Sequence, residues 1–185
     1  MRDFLLDTQT IRYWYDTGCP QHNAVVGNAE RLRTLSASLS PKPRLLVSVV
    51  TLGEIEFGYR VQVGDHAAHN EELLRFVHER LPEPLQVSQD AVAAYGELRT
   101  RLFNKYAPGS TRKPKMRPEQ LVDPATALAL QIQENDLWLC AQAVGHQMVL
   151  VTNDRMKAIR DVAAGMNPAL IIQDWTKADT ASVPM

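Results

Sequence analysis

Apolar residues in this chain follow two patterns. Nearly unbroken short runs, Phe4-Leu5-Leu6, Leu45-Leu46-Val47-Ser48-Val49, Met148-Val149-Leu150-Val151 and Ala169-Leu170-Ile171-Ile172, sit between polar or turn-forming residues and predict buried strands. Leu85-Gln86-Val87 reads as a further short strand. Between the runs, apolar positions recur at helical spacing. A helix-compatible stretch follows Asp7 as far as Asp16, before a loop with Gly18 and Pro20. Ala24 to about Leu39 presents Val25, Leu32 and Leu35 on one side and is stopped by Pro41 and Pro43. Thr51 reads as an N-cap with Glu54 three residues on, the spacing of a capping box, ahead of Ile55, Phe57 and Val61. Further helices are expected over His66–Leu81, Ala91–Tyr106 and Asp136–His146, with helical pattern also resuming at Ala125. Strands alternating with helices predict an α/β fold with a mainly parallel sheet.

One stretch breaks the alternation. Residues 107–124 hold Pro108, Pro114, Pro118 and Pro124 around the basic run Arg112-Lys113-Pro114-Lys115-Met116-Arg117, and read as an extended loop. Neither flank makes a complete domain, so a single domain over residues 1–175 is expected, with a flexible tail over 176–185. Trp14, Trp138 and Trp175 read as packing anchors and Cys140 as a small core residue.

Composition narrows the function. The chain has 185 residues, 45% of them hydrophobic, and a net charge of −1, so it is not a globally basic nucleic-acid binder. Two cysteines, Cys19 and Cys140, offer neither a disulfide framework nor zinc spacing. The first apolar run is too short for a signal peptide, and no run is long enough to cross a membrane. The expectation is a cytoplasmic protein.

Four carboxylates stand beside the predicted core elements: Asp7, Glu54, Asp136 and Asp154. Each has a bland explanation. Asp7 caps a helix, Glu54 closes a capping box, Asp136 favours a helix N-terminus, and Asp154 starts a turn. Sites in open α/β sheets form outside the carboxyl ends of the strands, and one topology would carry all four residues to that rim. Carboxylates gathered near a core need compensating charge, which a divalent cation supplies, and that chemistry suits phosphodiester cleavage.

The segments Leu5-Leu6-Asp7-Thr8, Ser48-Val49-Val50-Thr51-Leu52-Gly53-Glu54-Ile55-Glu56-Phe57-Gly58, Asn135-Asp136-Leu137-Trp138-Leu139-Cys140-Ala141-Gln142-Ala143 and Leu150-Val151-Thr152-Asn153-Asp154 together resemble PIN-domain ribonucleases, and more narrowly VapC-type toxins of bacterial toxin–antitoxin pairs. The resemblance implies a three-layer α/β/α fold, an endoribonuclease dependent on Mg²⁺ or Mn²⁺, and a small cognate antitoxin. It implies that Asp7, Glu54, Asp136 and Asp154 are the acidic quartet. Within it, Asp7 and Asp136 are expected to make the most direct metal contacts, with Glu54 and Asp154 completing the set. Thr8, Thr152 and Asn153 would orient these carboxylates. Gln9 stands where the family commonly has Asn, and the loop at 107–124 lengthens this chain relative to compact members. Arg112, Lys113, Lys115 and Arg117 are candidates for gripping RNA. A homodimer is also expected. Two other readings compete: a non-catalytic RNA-binding or regulatory module on the same fold, and a phosphohydrolase with Asp7 as nucleophile.

Overall fold

The computed structural model describes residues 2–62, 65–110 and 115–182, with 65–67 as backbone. The chain forms two compact units. One holds residues up to Gln86, Met148–Asn153 and the chain from Ile172 on; the other holds Val87–Gln147 and Asp154–Ile171.

The first unit is built around a sheet of order β2-β1-β3-β4, comprising β1 (Phe4–Leu6), β2 (Leu45–Val47), β3 (Val149–Val151) and β4 (Ile171–Gln173). β1 pairs in parallel with β2 on one side, Leu6 opposite Val47, and with β3 on the other, Leu6 opposite Val151. Covered on both edges and both faces, Phe4, Leu5 and Leu6 are all fully buried, which explains an apolar run without alternation. Helices α1 (Thr8–Tyr15) and α2 (His22–Leu35) connect β1 to β2, and α3 (Val49–Val61) and α4 (Asp65–Arg80) follow.

Three local expectations change here. Helix α3 starts at Val49, not after Thr51, because the Ser48 hydroxyl accepts the Val50 N–H at 3.0 Å and caps it. Val49 and Val50 look like strand by composition, but the cap turns them into helix. The stretch Leu85–Val87 contributes a single parallel bridge, Ser48 to Leu85. The segment after Trp175, expected to fray, is tied down as far as Ala181. The Asn28 side chain donates to the carbonyls of Trp175 (3.1 Å) and Lys177 (2.7 Å) and accepts the Ala181 N–H at 2.7 Å. A buried amide with these partners is satisfied and so tolerated in the core.

The second unit packs α5 (Gln89–Tyr106), α6 (Glu134–Gly145) and α7 (Lys157–Ala163). Leu98, Leu102 and Phe103 of α5 and Leu137, Leu139 and Cys140 of α6 are core residues. Trp138 stacks on Tyr95 at 4.0 Å between ring centroids, an anchor as expected. Helix α7 was not anticipated. It is short, and its N-cap Met156 has no capping side chain to announce it. The helical pattern at Ala125 is also corrected. The Asp123 carboxylate accepts the N–H groups of Ala125 (2.8 Å) and Thr126 (3.1 Å), Ala127 is left-handed (φ 58°), and Val122 bridges Ala129 antiparallel. Those two N–H groups hold the Asp123 carboxyl below its ordinary pKa.

The described part of the 107–124 stretch is likewise anchored. Pro118–Gln120 forms one 3₁₀ turn, Pro118 and Leu121 are buried, and Arg99 donates to the Met116 carbonyl at 2.9 Å. Arg99 also bonds Tyr95 and pairs with Glu134 at the start of α6. Burial, reinforced by the bond to Glu134, raises the Tyr95 phenol above its usual pKa.

Gly145 ends α6 against the first turn of α5. A Cβ there would stand 2.8 Å from the Ala91 nitrogen and 2.8 Å from the Asp90 carbonyl carbon, both backbone atoms that cannot rotate away. Gly145→Ala is therefore expected to destabilise the protein by about 1–3 kcal/mol, read as a lower urea midpoint at unchanged slope. A midpoint equal to the parent's would show that α5 and α6 can separate without cost.

Candidate functional site

The carboxyl ends of β1, β2 and β3 lie side by side, so the residues just past them meet at one edge. The connections from β1 and from β2 lead to opposite sides of the central strand, making the gap beside β1 a topological switch point. Asp7 follows β1 directly. It is only 7% exposed, its N–H donates to the Val151 carbonyl at 3.1 Å, and its Oδ1 accepts the Thr10 N–H at 2.6 Å. The bland role as helix cap is thus real, and the same bond fixes the carboxylate at the strand end. The Thr10 hydroxyl donates to Val151 at 3.1 Å, locking the first turn of α1 to β3.

Glu54 lies in the second turn of α3, half-buried, and closes no capping box, because the cap is Ser48. Its Oε2 instead accepts a hydrogen bond from the Thr8 hydroxyl. Thr8, the residue after Asp7, therefore ties the start of α1 to α3. Thr152, just past β3, is buried and donates its N–H to the Gln173 carbonyl at 3.0 Å; Asn153 is exposed, its amide 3.5 Å from the Tyr13 hydroxyl. Midway between Ser48 and Glu54 on α3, the Thr51 hydroxyl is fully buried without a hydrogen-bond partner among the described residues. The sequence pattern does not single out Thr10 or Ser48 and offers Thr51 only as a helix cap; the strand register brings their hydroxyls to this edge.

The second unit carries the other two carboxylates. Asp136 is the third residue of α6 and accepts the Gln133 N–H, closing a capping box at 3.4 Å. Asp154 accepts the Met156 N–H at 3.0 Å. Both line a cavity of about 230 Å³ whose other walls include Gln131, Ile132, Arg155, Met156 and Lys157. Burial pushes the pKa of the Cys140 thiol far up, and the charge of Asp136 adds to this; Arg160 opposes and Asp154 reinforces it. Two carboxylates therefore act on one buried sulfur. Cys140 is inert core, its thiol 3.6 Å from the Met156 sulfur.

The donors suit a hard cation: carboxylate and hydroxyl oxygens match Mg²⁺ or Mn²⁺ in kind. Within each unit the carboxylates come as a pair, and among the described residues no three His, Cys, Asp or Glu side chains form a ready-made cage. Of the basic run, Lys115 and Arg117 are exposed, while Arg112 and Lys113 lie outside the described residues. A larger groove of about 650 Å³ in the first unit, lined by Trp14, Leu32, Phe76 and Arg80 among others, contains none of the four carboxylates.

Residues 4–165 match the family model described as PIN domain. The chain belongs to the PIN domain family. The α/β fold with a mainly parallel sheet is accordingly that of a PIN domain. No curated protein matches the chain. Among solved structures, this PIN domain is similar to a chain of VapBC2 from Rickettsia felis bound to a DNA fragment from their promoter. The TM-score is 0.60 at 22% identity, over 93% of this chain and 98% of that one. It is similar to a chain of VapBC-1 from nontypeable Haemophilus influenzae, with a TM-score of 0.56 at 24% identity over 94% and 98% of the two chains. A chain of FitAcB from Neisseria gonorrhoeae gives 0.55 at 16% identity over 91% and 95%. At these identities the shared property is the fold. Among the described residues no helix of the PIN domain is long and apolar enough to cross a membrane.

Proposed function

We propose that this PIN domain is a metal-dependent endoribonuclease, the toxin of a toxin–antitoxin pair, working through Asp7, Glu54, Asp136 and Asp154. The observation that carries the reading is Asp7: a buried carboxylate fixed at the end of the central strand, at a switch point, with Thr8 tying Glu54 to the same edge.

Asp7 and Asp136 would hold Mg²⁺ or Mn²⁺ most directly, with Glu54 and Asp154 completing the set. When bound, the cation would supply positive charge against the phosphoryl oxygens and acidify a water. The protein's own contribution is orientation. The Thr10 N–H fixes one oxygen of Asp7, the Thr8 hydroxyl fixes Glu54, and the Met156 N–H fixes Asp154, so that the carboxylates need little reorganisation when substrate arrives. Thr152 and Asn153, at the end of β3, would help orient these carboxylates. The basic run at Arg112, Lys113, Lys115 and Arg117 would draw the RNA backbone toward this acidic surface.

A cognate antitoxin is the proposed protein partner; one similar structure is described as a member of the VapBC family of toxin–antitoxin systems. A second copy of the chain is proposed to cover Phe57 and Val61. These lie four residues apart on α3 and are 67% and 59% exposed, an apolar strip that water disfavours.

The test is cleavage of a mixed pool of structured RNAs by the purified chain with Mg²⁺, with Mn²⁺ and with chelator. Discrete cuts that need metal are the expected result. RNA bound but uncut under either metal would favour the non-catalytic module instead.

A further inference from the structure

The sequence offers one grip on RNA, the basic run of residues 112–117; the fold offers another. We propose that Arg155 and Lys157 form a phosphate clamp that seats one phosphodiester of the RNA backbone beside Asp136 and Asp154. The inference rests on the reading that this site takes RNA.

The local structure presents both cations to one cavity. Met156, between them, is left-handed (φ 41°), an unusual conformation for a residue with a side chain. It is held there from three directions: its N–H by Asp154, its sulfur by the Cys140 thiol, and its side chain by burial. With the middle residue pinned inward, its exposed neighbours Arg155 and Lys157 both line the cavity that Asp136 and Asp154 line. Gln131, on another wall of the same cavity, is also left-handed (φ 55°).

The mixture of charges defines what fits. A bare anion meets two carboxylates, and a bare cation meets a guanidinium and an ammonium. A phosphodiester carrying a divalent counter-ion satisfies both sets at once, with Arg155 able to give two parallel N–H bonds to phosphate oxygens and Lys157 a point charge. The volume, about 230 Å³, lies below the usual range for drug-sized ligands. It suits a phosphate group with its waters better than a stacked base, so the clamp should position RNA without reading its sequence.

The experiment measures binding of a fluorescein-labelled pool of structured RNAs across a salt series, with Ca²⁺ replacing Mg²⁺ to hold back cleavage. The parent is compared with the double variant Arg155→Gln/Lys157→Gln. Affinity is expected to fall by roughly tenfold, and the slope of log affinity against log salt to become shallower by about 1.4, two contacts at ~0.7 each. The melting temperature should stay near the parent's, since both side chains are exposed. Lys177→Gln, on the other unit and paired there with Asp174, should leave the slope unchanged. Unchanged binding in the double variant, an equal loss in Lys177→Gln, or a parent that binds no RNA would each overturn the clamp. A parent that binds RNA through these two residues yet never cuts it under Mg²⁺ or Mn²⁺ would leave the clamp standing and remove the nuclease reading.

Discussion

Asp7→Asn is expected to leave the protein folded and to slow RNA cleavage by more than about a hundredfold at saturating Mg²⁺. The substitution separates the two roles of this residue. Asparagine caps helices as well as aspartate does, and its amide oxygen can still accept the Thr10 N–H that Asp7 accepts at 2.6 Å. The negative charge is lost, and a neutral amide is a weak ligand for a hard cation. Because the cap is kept, melting should stay within a few degrees of the parent. Asp7→Ala tests the other half: it removes the cap as well and should cost about 1 kcal/mol of stability in addition. Initial rates on a labelled RNA, with thermal melts of the same samples, read both effects. A folded Asp7→Asn protein that cuts RNA at the parent rate would take Asp7 out of the chemistry and the acidic quartet with it.

Trp175→Ala should be the most destabilising single change outside the strands, by about 3–5 kcal/mol. Trp175 is 1% exposed, packs on Phe4 of β1 at 5.7 Å between ring centroids, and donates its indole N–H to Gln173 at 3.0 Å. Truncation opens a cavity against the central strand. It also loosens the segment that Asn28 gathers, because the Trp175 carbonyl is one of that amide's acceptors. For a chain of this size the loss corresponds to roughly 10 °C or more in melting temperature. Trp175→Phe keeps the ring against Phe4 and should recover most of it. A loss below about 1 kcal/mol in Trp175→Ala would mean that the end of the chain is not part of the folded core.

Much of the fold is legible because its signals are local. Phe4-Leu5-Leu6 has no reading other than a buried element, and β1 is where the run predicts it. The helices at α2, α4, α5 and α6 fall within a few residues of their periodic patterns, as expected where an apolar stripe faces a core. The failures share a cause. Ser48 and Thr51 are both good caps by type, and only the register of β2 on β1, which stops at Val47, decides for Ser48. The pattern at Ala125 is overridden by the Asp123 side chain, which bonds the backbone before a helix can form. Helix α7 is too short to show a period.

For the candidate site, acidic residues at strand ends and in the first turns of helices pointed to Asp7, Glu54, Asp136 and Asp154, and the resemblance of four segments suggested the family. No spacing indicates that the Thr8 hydroxyl is given to Glu54, 46 positions along the chain. Nor does it show that Arg155 and Lys157 share a cavity with Asp136, or that Asn28 holds Ala181. The sequence by itself determined the alternation of buried strands and amphipathic helices, hence the α/β class, and which acidic residues follow those elements. Tertiary structure decided which hydroxyls and cations stand beside the carboxylates, which cap begins α3, and that the segment from Trp175 to Ala181 is docked. Burial patterns are written in neighbouring residues, whereas a hydrogen bond between distant side chains exists only once the strands have fixed their register.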